Sequence, residues 1–113
     1  MKKANYKVIG VMSGTSLDGI DLVYVNFDFK NSWSYKILKA ETIPYPLNWQ
    51  DTLAEAINYS EERLEELNKK YTNFLAGIIS RFIETHQIKD IDAVCSHGHT
   101  IKHETENNYT LQI

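Results

Sequence analysis

The chain has 113 residues, of which 42% are hydrophobic and 24% are charged, a composition typical of one globular domain. Twelve Lys and Arg residues against fifteen Asp and Glu residues leave a net charge of −3, so the sequence lacks the basic footprint that nucleic acids and anionic membranes attract. A lone cysteine cannot form an intrachain disulfide, and no apolar stretch approaches the roughly 20 residues of a membrane-spanning helix. We therefore expect a cytoplasmic protein with no nucleic-acid or membrane partner.

Three strands are predicted in the first part of the chain. The β-branched run 6–12 is followed by turn-forming residues at 13–19, and a second apolar run covers 20–27. A further turn precedes the third strand at 35–43. Because short turns join these runs, the simplest arrangement is three consecutive antiparallel strands.

Two helices are predicted after Pro44 and Pro46 end the third strand. Asn48 is the expected N-cap of a short helix that runs through Ile57, and Ser60 is the expected N-cap of a longer one. Apolar residues recur along the longer helix at spacings of three and four, which predicts one wide buried face. They are Leu64, Leu67, Tyr71, Phe74, Leu75, Ile78, Ile79, Phe82 and Ile83.

The last part of the chain reads as a strand at 91–96, a loop at His97–Thr100 and a strand at 109–113. The predicted order is therefore β-β-β-α-α-β-β, an α/β fold with a mixed sheet. A strand that returns after a helical crossover lies parallel to its neighbour, so we expect 91–96 beside the first strand. Because the chain ends on apolar β-formers, we also expect a truncated portion of a longer protein.

The segment 10–21 combines glycines, hydroxyls and carboxylates, but it is not a standard phosphate loop. Gly14 and Gly19 have the spacing of a Walker A motif, yet Ile20 and Asp21 stand where Lys and Ser or Thr are required. The glycine spacing also differs from the Rossmann fingerprint.

A different kind of phosphate site remains open for this segment. Glycines let backbone N–H groups approach an anion, and Ser13, Thr15 and Ser16 add hydroxyl donors. Asp18 or Asp21 can hold Mg²⁺ or its bound water. The alternative is a plain β-turn in which these residues serve turn geometry alone.

Three motifs together resemble one protein family. The unbroken stretch Gly-Val-Met-Ser-Gly-Thr-Ser-Leu-Asp-Gly-Ile-Asp at 10–21 resembles the N-terminal signature of the anhydro-N-acetylmuramic acid kinases. Ser-His-Gly-His-Thr-Ile-Lys-His at 96–103 is similar to a second family motif, and Thr-Leu-Gln-Ile at 110–113 is similar to a third. The motifs follow the family order, and members of the family are several times longer than this chain.

The resemblance implies a fold and an activity. The fold is a ribonuclease-H-like domain of the actin, sugar-kinase and Hsp70 superfamily, with residues 1–113 as an incomplete N-terminal domain of a two-lobed kinase. The activity is the hydrolytic opening of 1,6-anhydro-N-acetylmuramic acid and its phosphorylation on O6, with ATP and Mg²⁺, during peptidoglycan recycling. The catalytic aspartate of the family lies in a later segment, so we expect this chain alone to be inactive.

The resemblance also implies site residues. It assigns Asp18 to Mg²⁺, bound directly or through water. It assigns ATP and phosphate binding to Gly14, Thr15, Ser16, Leu17, Asp18, Gly19, Ile20 and Asp21. It assigns the sugar side of the cleft to His97, Gly98, His99 and Thr100. His99 stands where the family has Gln, and a histidine lacks the paired donor and acceptor of an amide.

Two other functions remain open from the sequence. One is a non-catalytic module of the same superfamily that binds a nucleotide or a sugar. The other is a small zinc-binding interaction domain that uses Cys95, His97, His99 and His103, although only His99 and His103 have a standard ligand spacing. Outside a zinc site, Cys95 is expected to be a small buried residue. A homodimer also remains open.

Overall fold

The computed structural model describes residues 4–13, 17–96, 100–104 and 109–112. In chain order its elements are β1 (Asn5–Ser13), β2 (Gly19–Phe29), β3 (Trp33–Pro44), α1 (Leu47–Glu55), a 3₁₀ turn (Ala56–Asn58), α2 (Glu61–Thr85), β4 (Ala93–Ser96), β5 (Thr100–Glu104) and β6 (Tyr109–Gln112). The mixed α/β class predicted from the sequence is confirmed.

Four of the strands form one mixed sheet in the order β3-β2-β1-β4. β1, β2 and β3 pair antiparallel, whereas β4 lies parallel to β1. The start of β4 is held by two hydrogen bonds, because Asp92 N–H donates to the Lys7 carbonyl at 2.7 Å and Lys7 N–H donates to the Asp92 carboxylate at 2.8 Å. Both the antiparallel triplet and the parallel return of the fourth strand are therefore confirmed.

The long helix α2 covers one face of this sheet. Its N-terminus is capped as predicted, since the Ser60 hydroxyl accepts a hydrogen bond from Arg63 N–H at 3.3 Å. Leu67, Tyr71, Ile78 and Phe82 of the predicted stripe are buried, and they join a core with residues of β1 and β2 that include Ile9, Ile20 and Leu22. Each such side chain stabilises the fold by roughly 1.5–3 kcal/mol through burial.

Helix α1 begins earlier than the sequence predicted. Its N-cap is Pro46 rather than Asn48, and no side chain caps it. The Pro46 carbonyl accepts from Trp49 N–H at 3.0 Å and from Gln50 N–H at 3.1 Å. The fixed φ of proline already suits a helix start, which explains why the helix begins before Asn48. The α helix ends at Glu55, and the 3₁₀ turn continues to Asn58.

The predicted order β-β-β-α-α-β-β omits one strand. β5 begins at Thr100, which the sequence had assigned to a loop, and pairs antiparallel with β6 in a separate two-stranded sheet. The β-branched pair Thr100 and Ile101 favours a strand, and the predicted last strand supplies its partner. β6 confirms that last strand as far as Gln112, while Ile113 lies outside the described residues.

The second face of the four-stranded sheet carries exposed apolar side chains. Trp33 is 60% exposed, Tyr35 70% and Ile37 52%. Trp33 packs against neighbours on the same face, with its ring centroid 5.2 Å from that of Phe29 and 6.2 Å from that of Tyr6. Within the described residues the helices thus cover one face of the sheet.

Candidate functional site at the end of β1 and β4

The candidate site lies at the end of the sheet where β1 and β4 finish. These strands are parallel neighbours, with Gly10 opposite Cys95 and Val11 opposite Ser96. Their carboxyl ends therefore reach the same end of the sheet, and both predicted binding segments follow directly in the chain. In open α/β sheets, ligands bind outside the carboxyl ends of the strands. The topology thus brings Ser13 and Ser96, the described residues that precede 14–16 and 97–99 in the chain, to the same end of the sheet.

Five of the eight predicted phosphate-binding residues belong to the described residues, while Gly14, Thr15 and Ser16 lie outside them. Ile20 is fully buried in the core, so its side chain faces away from any ligand. Leu17 packs against the same core with a positive φ of 62°, a strained conformation for a leucine. Gly19 lies against the backbone of β3 with no room for a side chain.

The two aspartates of the hairpin are exposed and differ in their contacts. The Asp21 carboxylate accepts a hydrogen bond from the Thr42 hydroxyl at 2.5 Å, which links β2 to β3. The Asp18 carbonyl accepts from Tyr45 N–H at 3.3 Å. Carboxylate oxygens are the ligands that Mg²⁺ takes in proteins, usually together with several waters. The donor set of this hairpin therefore fits a hydrated magnesium ion that accompanies a phosphate.

A buried row of hydroxyls lies beneath the hairpin, and the sequence did not reveal it. Ser13 Oγ and Tyr45 Oη are 2.5 Å apart, and Tyr45 Oη and Tyr71 Oη are 2.7 Å apart. All three residues are buried, and Ser13 is the last residue of β1. The row therefore joins β1, the connection between β3 and α1, and α2. In the sequence, the one sign of this row is Tyr71, a tyrosine within the apolar stripe of α2.

The environment of Tyr45 favours the neutral phenol. Burial raises the pKa of Tyr45 well above its ordinary value, and the hydrogen bond with Tyr71 raises this pKa further. The hydrogen bond with Ser13 acts in the opposite direction. Tyr45 therefore serves this region as a neutral hydrogen-bonding group.

Gln50 of α1 is a second residue that the sequence did not single out. Its side-chain amide donates to the Leu17 carbonyl at 3.2 Å. This bond supports the backbone at Leu17, which has a positive φ. Leu17 is thus contacted by α1, and Asp18 by Tyr45 in the connection from β3 to α1.

A cavity of about 550 Å³ opens on the helix-free face of the sheet, beside the ends of β1 and β4. Gly10, Met12, Asp21, Val23 and Cys95 line it, together with Val11 and Ser96. Cys95 is exposed here, so the prediction that it is buried is wrong. It lies on an edge strand of the described sheet, and its neighbour Gly10 has no side chain to cover it.

The sugar-side and zinc predictions fall largely outside the described residues. His97, Gly98 and His99 are not among them, and Thr100 and His103 are described only as backbone of β5. Among the described residues, no three His, Cys, Asp or Glu side chains are grouped so that they could hold a metal ion.

Comparison with known proteins decides the family. The model of the anhydro-N-acetylmuramic acid kinase family matches residues 6–113. The chain is 35% identical over 112 residues to the anhydro-N-acetylmuramic acid kinase of Nitrosomonas europaea, covering 93% of this chain and 30% of that protein. The proteins of that name from Neisseria meningitidis serogroup A and Pasteurella multocida are 34% and 31% identical, over 93% and 100% of this chain and 29% and 31% of theirs.

The chain belongs to the anhydro-N-acetylmuramic acid kinase family. The resemblance inferred from the motifs is thereby confirmed. The family match includes the β1–β2 hairpin from Tyr6 onwards and continues through β4, β5 and β6, so it reaches every element that positions the candidate site. The chain spans about 30% of the length of these curated relatives. Neither helix in the described part of the chain has the length and hydropathy of a membrane-spanning helix.

Proposed function

We propose that this chain is the N-terminal, phosphate-binding portion of a kinase that acts on 1,6-anhydro-N-acetylmuramic acid with ATP and Mg²⁺. The observation that carries the proposal is the family match from residue 6 to residue 113. The convergence of the hairpin and the end of β4 supports it, because both predicted motifs then adjoin one site. The proposal includes a role in peptidoglycan recycling in the cytoplasm.

The proposed reaction opens a ring and transfers a phosphoryl group. Water adds at the anomeric carbon as the 1,6-anhydro bridge breaks, O6 attacks the γ-phosphorus, and ADP leaves. The products are N-acetylmuramic acid 6-phosphate and ADP. Such a transfer depends mainly on positioning and on neutralising the phosphate charge.

The hairpin is proposed to hold the nucleotide phosphates. The groups proposed to bind the phosphates are the backbone N–H groups and the hydroxyls of the glycine segment, from Gly14 to Gly19. Asp18 is proposed to hold Mg²⁺ directly or through water, and Asp21 lies three residues further along the same hairpin. The metal would neutralise phosphate charge during transfer. Both aspartates are exposed, as such a role requires.

The sugar is proposed to lie on the side of His97, Gly98, His99 and Thr100, which follow β4. The cavity beside Cys95 and Met12 adjoins the same strand end and offers an apolar wall. We propose further that the domain is ribonuclease-H-like, which the sheet order β3-β2-β1-β4 supports. Residues 1–113 would then form one part of a two-lobed enzyme whose catalytic base lies elsewhere.

The experiment that tests the nucleotide role is calorimetric titration of the intact gene product with Mg·ATP. We expect Asp18→Asn to weaken binding by about tenfold or more, which is about 1.4 kcal/mol. Asp90→Asn is the matched control, because Asp90 is an exposed aspartate whose ion pair with Lys7 spans 3.7 Å. Such exposed pairs contribute little. Equal affinities in all three proteins would remove Asp18 from the nucleotide site.

A further inference from the structure

We propose that Tyr45 is a positioning residue for the nucleotide-binding hairpin, because it is hydrogen-bonded to residues on both sides of segment 14–16. The inference rests on the proposed nucleotide role of that hairpin. It adds a residue outside the family motifs on which the resemblance was based.

Two separate groups of Tyr45 make these contacts. Its phenol oxygen lies 2.5 Å from Ser13 Oγ, immediately before the segment 14–16. Its backbone N–H donates to the Asp18 carbonyl at 3.3 Å, just after that segment. One residue therefore contacts the chain just before segment 14–16 and again at Asp18, within the predicted phosphate-binding residues.

Packing fixes the Tyr45 side chain. It is only 5% exposed, and its ring stacks on Phe74 of α2 with centroids 6.1 Å apart and an interplanar angle of 25°. Its hydroxyl is also 2.7 Å from that of Tyr71, which is 1% exposed. Tyr45 is thus held by α2, and through Tyr45 the hairpin is connected to the longest helix of the domain.

The connection matters because a phosphate loop binds through backbone N–H groups that must already point at the anion. A loop with fixed ends loses less conformational entropy when it closes on a ligand. Pro44 and Pro46 flank Tyr45 and restrict its backbone. This part of the chain is therefore suited to hold the hairpin in one conformation before ATP arrives.

The test is steady-state kinetics of the intact gene product carrying Tyr45→Phe, which removes the hydroxyl and keeps the ring and the backbone N–H. We expect the KM for ATP to rise about tenfold, which is about 1.4 kcal/mol, with the KM for the sugar unchanged. Ser13→Ala is expected to have the same effect, and the double variant to be no worse than either single one.

Tyr24→Phe is the matched control for stability. The Tyr24 hydroxyl is also hydrogen-bonded in the fold, donating to the Asp90 carbonyl at 2.6 Å. Tyr24 is paired with Ile9 and lies four positions along β2 from Ile20, so it belongs to the strands of the hairpin but lies away from the glycine-containing turn. We expect Tyr24→Phe to lower the melting temperature comparably to Tyr45→Phe and to leave the KM for ATP unchanged.

The outcomes separate the two proposals. A wild-type protein that neither binds nor uses ATP overturns the proposed function itself. An active wild-type protein whose Tyr45→Phe variant melts earlier but keeps its KM for ATP shows that Tyr45 is merely structural, and this overturns the positioning role. An equal rise of the KM for ATP in Tyr24→Phe would also overturn it, because any loss of stability would then be enough to raise the KM for ATP.

Discussion

Gly19 lies so close to Ile43 that a β-carbon built on Gly19 would be 2.6 Å from the Ile43 carbonyl oxygen. That distance is far inside van der Waals contact, and the obstacle is backbone rather than a flexible side chain. Because β2 and β3 must separate to admit even a methyl group, we expect Gly19→Ala to lower the free energy of unfolding by about 1–3 kcal/mol. Chemical denaturation of wild type and variant measures this difference.

Gly77→Ala is the control for that prediction. Gly77 lies on the exposed side of α2, and a β-carbon there meets no atom within 4 Å. Alanine in an exposed helix interior is more favourable than glycine by about 0.5–1 kcal/mol. We expect a stabilised protein, and a Gly19→Ala variant as stable as Gly77→Ala would contradict the close approach of β2 and β3.

Phe82 and Phe29 provide a matched test of which face of the sheet forms the core. Phe82 of α2 is fully buried, whereas Phe29 at the end of β2 is 47% exposed. We expect Phe82→Ala to cost about 3–5 kcal/mol in the free energy of unfolding, from lost burial and the cavity that remains. The same change at Phe29 should cost clearly less. Equal costs in denaturant titrations would mean that the helix-covered face is not the principal core.

Because the phenol of Tyr45 is buried, we expect the protein to lose stability at alkaline pH. Burial raises the pKa of its phenol well above the ordinary value near 10. In the unfolded chain the phenol ionises near that ordinary value, so above about pH 10 the unfolded state loses its proton first. The free energy of unfolding then falls as pH rises, by up to about 1.4 kcal/mol per pH unit for this one group.

The measurement is denaturation of wild type and Tyr45→Phe between about pH 8 and pH 11, since phenylalanine has no proton to lose. We expect the stability of the wild type to fall more steeply than that of the variant above about pH 10. Parallel curves across the whole range would show that Tyr45 is not the buried phenol described here.

The 113-residue chain by itself is expected to show no kinase turnover. It spans about 30% of the length of its curated relatives, and phosphoryl transfer requires positioned groups from both sides of a cleft. Incubation with ATP, Mg²⁺ and 1,6-anhydro-N-acetylmuramic acid, followed by mass spectrometry, tests this. Product from the purified chain at a rate above the Asp18→Asn background would show that the catalytic base is already present.

Much of the fold follows from local patterns in the sequence. The spacing of apolar residues from Leu67 to Phe82 predicts α2 and its buried face, and Ser60 predicts where it begins. The β-branched runs predict β1, β2 and β3. The N-cap prediction at Asn48 is wrong because Pro46, two residues earlier, already has a backbone conformation that suits a helix start. The prediction of a loop at Thr100 is wrong because its strand depends on pairing with β6 rather than on local sequence alone.

The candidate site is less accessible to sequence reasoning. Its glycine and aspartate residues are visible in the motif at 10–21, because unusual backbone and charge are encoded there directly. Tyr45 and Gln50 are not, because their roles arise from tertiary contacts with Ser13 and Leu17, 32 and 33 positions away in the chain. Exposure of Cys95 likewise depends on an edge position and a glycine neighbour that no local pattern reveals.

The most direct test of the central claim is an assay of the complete gene product that contains this chain. The protein is incubated with ATP, Mg²⁺ and 1,6-anhydro-N-acetylmuramic acid, and the sugar is followed by mass spectrometry and nuclear magnetic resonance. We predict ADP and N-acetylmuramic acid with the phosphate on O6, formed in equal amounts. A folded, complete protein that binds Mg·ATP but leaves the anhydro sugar unchanged would contradict the proposed reaction and leave a binding role alone.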